Sequence, residues 1–282
     1  MVKENFVAVC ADDFGLSHGV SLGILQALAA GRLTAVSALT TGSCWPAMGR
    51  ELLRRGVDAD IGLHFNLTLG APLGPMPNFA PKGVFPPLSK ILRLSARGRL
   101  PLAEIREETH RQLDRFEAVM ERSPDHFDGH QHVHAVRDIR ETILDVLTER
   151  GLQGEIWLRD VSDTVPRVIM RKTAIGKALS LRTLARGFAK EAQLRGFTVN
   201  DGFSGLSNFD PAQNYADHFS RYLLGLGARH LIMCHPGHVD AALLALDSVT
   251  QTREQELEFL ISPHFPELLQ QKGLMLARLS QM

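Results

Sequence analysis

Two adjacent carboxylates, Asp12 and Asp13, close the apolar run Phe6-Val7-Ala8-Val9-Cys10-Ala11 and are followed at once by Phe14-Gly15. Like charges this close repel, and burial deepens the cost, so a buried pair calls for a compensating cation or a catalytic use. The plain alternative is that one of them caps the helix that follows, as Asp often does. The same setting recurs along the chain. His64 follows Asp60-Ile61-Gly62-Leu63, His130 follows Asp128-Gly129, Arg159 and Asp160 follow Ile156-Trp157-Leu158, Asp201 follows Val199-Asn200, and His235 follows Leu231-Ile232-Met233-Cys234. One Asp with two His is a familiar ligand set for a divalent ion, with positions left for water and substrate. Asp13, His64 and His130 are the expected ligands. A competing arrangement uses His130, His132 and His134, whose period of two would place three imidazoles on one face of an extended chain as a zinc site. Otherwise His132 and His134 orient ligands or line the site. Each lone histidine also has a bland reading as a satisfied core residue. Cys234 beside His235 is not a nucleophile and base pair, because neighbours on a strand point to opposite faces.

The elements that would carry these residues alternate. Apolar stretches around 6–13, 35–39, 59–67, 154–160, 197–201 and 228–235 read as buried strands, and amphipathic stretches between them read as helices. Ser17 is the expected N-cap of a helix that Gly31 ends. A long helix is expected over 102–122 with Ile105, Leu113, Phe116 and Met120 inward. In a parallel sheet or barrel the C-terminal ends of the strands share one face, and Asp12, Asp13, His64, His130, Arg159, Asp160, Asp201 and His235 all fall there. Two stretches break the rhythm. Residues 71–101 hold seven prolines and read as a loop covering the site. Residues 166–195 interleave Arg and Lys with Ile, Leu and Phe, and read as a basic helical excursion able to touch an anionic surface or, more plainly, as an outer barrel helix.

The chain has 282 residues, 44% hydrophobic and 22% charged, with zero formal net charge, the profile of a soluble globular protein in a single domain. Neutral balance gives no general pull toward nucleic acid. Cys10, Cys44 and Cys234 show no metal spacing and leave an odd thiol, so a reducing compartment, the cytoplasm, is expected. No stretch reads as a leader or a membrane span.

Ala11-Asp12-Asp13-Phe14-Gly15, Gly62-Leu63-His64, Asp128-Gly129-His130-Gln131-His132-Val133-His134 and Cys234-His235-Pro236-Gly237, in this order, resemble the YdjC-like carbohydrate deacetylases, a family that includes chitooligosaccharide and hopanoid-linked N-acetylglucosamine deacetylases. The resemblance implies a distorted β/α (TIM-like) barrel with long βα-loop insertions, an N-acetylated sugar substrate, and a divalent metal ion, magnesium or zinc, on Asp13, His64 and His130. It further implies Asp12 as general base, His235 as general acid, and a homodimer. Arg159, Asp160 and Asp201 are expected to orient sugar hydroxyls or His235. Two other functions compete: a non-haem iron oxygenase on the same ligands, and a non-catalytic sugar-binding protein. A base beside the metal is of use to neither.

Overall fold

Residues 7 to 14 are buried without exception, as a strand covered on both faces must be. In the computed structural model, which describes residues 5–282, this strand is β1 (Asn5–Phe14), the centre of a sheet whose ladders are all parallel. The others are β2 (Ala35–Ala38), β3 (Asp60–Phe65), β4 (His126–Gly129), β5 (Trp157–Leu158), β6 (Thr198–Val199), β7 (Phe203–Ser204), β8 (Leu231–Cys234) and β9 (Leu274–Leu276). Their order is β6-β5-β4-β3-β2-β1-β8-β7, with β9 paired to the first residues of β1.

This order dictates curvature. Strands β6 and β7 sit at opposite edges of the sheet, yet Asn200, Asp201 and Gly202 alone separate them in the chain. Laid flat, eight strands would span roughly 34 Å. The four peptide steps from Val199 to Phe203 reach no more than about 15 Å. The sheet must therefore curl until its edges meet, and β6 and β7 act as two halves of one strand, the first paired to β5 and the second to β8. The result is the expected α/β architecture, a distorted TIM-like barrel. Gly202 (φ 99) makes the jump, where any Cβ would lie 2.4 Å from His230 Nδ1.

Outer helices follow the sequence expectations closely. Ser17 Oγ accepts from the Val20 N–H at the start of His18–Ala29, and Gly31 (φ 67) ends that turn. Helix Leu102–Met120 buries Ile105, Leu113, Phe116 and Met120. The proline-rich stretch 71–101 is fastened to that helix, with Glu104 accepting from the Asn78 and Phe79 N–H groups and Glu108 from Leu73, and it contains one helix, Leu88–Ser95. Stretch 166–195 differs from a single amphipathic helix. Left-handed residues at Lys172, Ala174 and Gly187 divide it into Val165–Arg171, Ile175–Leu184 and Phe188–Leu194. Several of its cations are spent internally, as where Arg171 pairs with Asp163 at 2.7 Å. Among the described residues no helix is long and apolar enough to cross a membrane.

Candidate metal and catalytic site

A regular strand would turn Asp12 and Asp13 to opposite faces. The register between β1 and β2 slips by one residue between Ala11 and Phe14, and Asp13 takes φ 71 inside that bulge. The bulge re-aims the strand end, so both carboxylates line one cavity of about 540 Å³. A left-handed non-glycine residue costs about 1 kcal/mol or more. His64 at the end of β3 and His130 just after β4 line the same cavity, as does His235 after β8.

Asp13, His64 and His130 each offer one donor atom, all within 4.8 Å of one another and all buried. Asp13 Oδ1 lies 2.9 Å from His130 Nδ1 and 3.4 Å from His64 Nε2. The other ring nitrogen of His64 is 2.7 Å from Asp128 Oδ1, the carboxylate support that metal-bound imidazoles usually have. This donor set fits a divalent cation. Burial alone would lower the His64 pKa, but Asp128 and Asp12 outweigh it and raise it to about 10. The field that holds a proton there also favours a metal ion. Burial likewise works against an ionised Asp13, yet Arg253 and His130 hold its pKa well below the usual carboxylate range. Arg253 Nη2 donates to Asp13 Oδ2 at 2.6 Å, which leaves Oδ1 facing the imidazoles.

Arg159 does not line the cavity. It is fully buried under the site, its Nη1 and Nη2 donating to the two Asp12 oxygens at 2.7 and 2.6 Å, with Nη2 also 2.6 Å from Asp128 Oδ2. A single guanidinium thus bridges the two carboxylates that flank His64. The trio Cys10, His126 and Asp128 is also close enough for a metal, but the Arg159 head occupies that space, 3.1 Å from Cys10 Sγ.

Three sequence expectations are displaced. The stretch His130–Ala135 is a tight helical turn with Gln131 and His132 at φ 50 and 58, so it cannot present three imidazoles on one extended face. His132 lines the cavity, whereas His134 is turned away, its Nε2 2.9 Å from the Arg159 carbonyl and its ring against Phe188. Asp160 is buried outside the cavity, accepting from Ser162, and Asp201 is exposed beside Arg167 and the Ala228 N–H. Neither meets His235, whose backbone N–H donates instead to Glu256. Asp128, Arg253 and Glu256 were not marked by sequence reasoning. Asp128 had a usable signal in lying two residues before His130 in the same motif, and the structure sets it opposite His64 across the β3–β4 ladder. Arg253 and Glu256 lie on helix Gln251–Ile261, which carries no motif.

A family model described as YdjC-like protein matches residues 6–271. A chitooligosaccharide deacetylase of Serratia marcescens is 30% identical over 275 residues, 97% of each chain. A carbohydrate deacetylase of Mus musculus is 29% identical over 306 residues, covering 98% of this chain and 94% of that one. Among solved structures, an Enterococcus faecalis protein provisionally named for cellobiose-phosphate cleavage shares the fold with a TM-score of 0.75 at 23% identity, over 99% of each chain. The motifs at the strand ends and the match along nearly the whole length agree, and the chain belongs to the family of YdjC-like proteins.

Proposed function

We propose that the protein is a metal-dependent hydrolase that removes the N-acetyl group from an amino sugar, a chitooligosaccharide or a lipid-linked N-acetylglucosamine. The observation that carries this reading is Asp12, a buried carboxylate gripped by Arg159, next to the Asp13, His64 and His130 cluster in a cavity that also holds His235. The names of its relatives point the same way. A volume of about 540 Å³ lies within the usual range for small-molecule sites.

Asp13, His64 and His130 would hold the divalent ion, magnesium or zinc. When bound, it polarises the acetyl carbonyl and acidifies a water. Asp12 takes a proton from the attacking water as its oxygen bonds to the acyl carbon, and the two-pronged grip of Arg159 keeps that carboxylate aimed. The C–N bond then breaks, giving acetate and the free amine. His235 hands a proton to the departing nitrogen. Burial pulls the His235 pKa down to about 4, below the near-neutral value expected of a surface imidazole, so it is neutral at rest. It becomes an acid by accepting the proton that Asp12 took from water, as negative charge grows on the substrate beside it, and is neutral again once the nitrogen has that proton. Proton balance holds, because water supplies the proton that the amine receives.

The oxygenase reading gives no work to Asp12, and a sugar-binding protein would need neither Asp12 nor His235. Acetate release from N-acetylated chitooligosaccharides and lipid-linked N-acetylglucosamine, with magnesium or zinc added and oxygen uptake followed in parallel, separates the three. Oxygen uptake, or sugar binding with no acetate on any substrate, would sink the proposal.

A further inference from the structure

We propose that Phe209 is a positioning residue that sets the angle of the His235 ring. The inference rests on the reading of His235 as proton donor. A catalytic imidazole is ordinarily oriented by a hydrogen bond to one ring nitrogen. Among the described residues His235 Nδ1 is buried and has no such partner, and Glu256 grips the backbone N–H only. An aromatic contact is made instead. Phe209 meets it with centroids 5.3 Å apart and planes at 81°, the edge-to-face geometry that ring quadrupoles favour.

Phe209 is held where it is at a cost. Its φ is 55, a left-handed state that a bulky side chain rarely adopts. Such a residue persists only if its surroundings over-determine it. Here its N–H donates to Ser207 Oγ at 3.1 Å. Lys177 braces the same turn twice, with Nζ donating to the Ser207 carbonyl at 3.3 Å and lying 4.7 Å from the Phe209 ring centroid. Lys177, Phe209 and His235 thus run in series along one side of the cavity. With the aromatic removed, the imidazole is free to turn about χ2, a torsion with broad wells.

The test compares kcat and KM on N,N′-diacetylchitobiose for wild type, Phe209→Ala, Phe209→Tyr, His235→Ala and the double variant Phe209→Ala/His235→Ala, at equal metal occupancy. Phe209→Ala is expected to lower kcat about tenfold or more with KM nearly unchanged, as misplacement of a catalytic group does. Phe209→Tyr restores most of it. The double variant should be no worse than His235→Ala alone, since a residue acting through another has nothing left to act on. Phe209→Gly, which relieves the backbone, should melt at or above the temperature of Phe209→Ala without regaining activity. A rise in KM with kcat kept, or losses that multiply in the double variant, would overturn the assignment while leaving His235 as the acid. If His235→Ala alone is fully active, both the acid and its positioning residue fall together.

Discussion

The cavity has two unlike sides. Its floor, Asp12, Asp13, His64 and His130, sits at the ends of β1, β3 and β4, and Asp12, Asp13 and His64 each have a buried charged partner in Arg159, Arg253 and Asp128. The side formed by 172–209 comes from short helices and a turn, held by left-handed residues at Lys172, Ala174 and Phe209 and by packing of Leu181 and Leu184. Charge fixes the first, shape the second. Charge pairing in a buried place is unforgiving, because a lost partner strands an ion. Shape tolerates exchange of similar residues. The floor therefore tolerates little exchange, and the other side has room to vary except where Phe209 meets His235.

The contrast can be broken most forcefully at Arg159. Arg159→Met leaves Asp12 and Asp128 buried without their cation and should cost about 3–5 kcal/mol in denaturant unfolding; a loss below about 1 kcal/mol would mean that the floor is not held by charge. Next in size, Asp12→Asn should keep bound metal, measured by elemental analysis, and lose about 10²–10⁴ in kcat. Near wild-type turnover would remove Asp12 from the reaction. Asp128→Asn should weaken metal binding by about 10–100-fold, read by competition with a chelator. The same variant tests the pH behaviour of metal-stripped protein. Because folding raises the His64 pKa from 6.5 to about 10, its stabilisation is complete below about 6.5 and is lost as pH rises toward 10. Asp128→Asn should flatten that fall, and an unchanged slope would assign it to another group. The smallest effect is expected away from the cavity. Arg195, partly exposed, pairs with the more exposed Asp145 at the surface, and Arg195→Ala should change stability by no more than about 1 kcal/mol.

Much of the floor was legible from residue order because Asp12, Asp13 and His64 follow apolar runs and His130 lies in a dense polar motif, and parallel strands bring such ends together. What stayed hidden is what depends on contacts between distant segments. Arg159 reads as a residue that orients sugar hydroxyls or His235 until Asp12 and Asp128 are seen to enclose it. Asp160 and Asp201 also follow strands, but Asp160 turns to Ser162 and Asp201 to Arg167 and the Ala228 N–H, contacts that residue order does not show. The bulge at Asp13 could not be read from residue types, since Asp12 and Asp13 look identical to any strand pattern. The competing three-histidine arrangement does not form for a related reason. Alternation implies one face only while the backbone is extended, and Gln131 and His132 are left-handed.

The junction at Asn200-Asp201-Gly202 has a kinetic meaning. Strands β1, β2 and β3 share ladders of three to four residues, while the closure of the barrel hangs on two-residue pairings at β6 and β7. Those amides have the fewest neighbours to lose before they meet solvent, so hydrogen exchange should be fastest at 198–204 and slowest at Val9 to Ala11. Fluctuations that part the edges there need not disturb β1 or its two carboxylates. The ring can come undone at one place and return to register, with the acid end of the molecule never unmade.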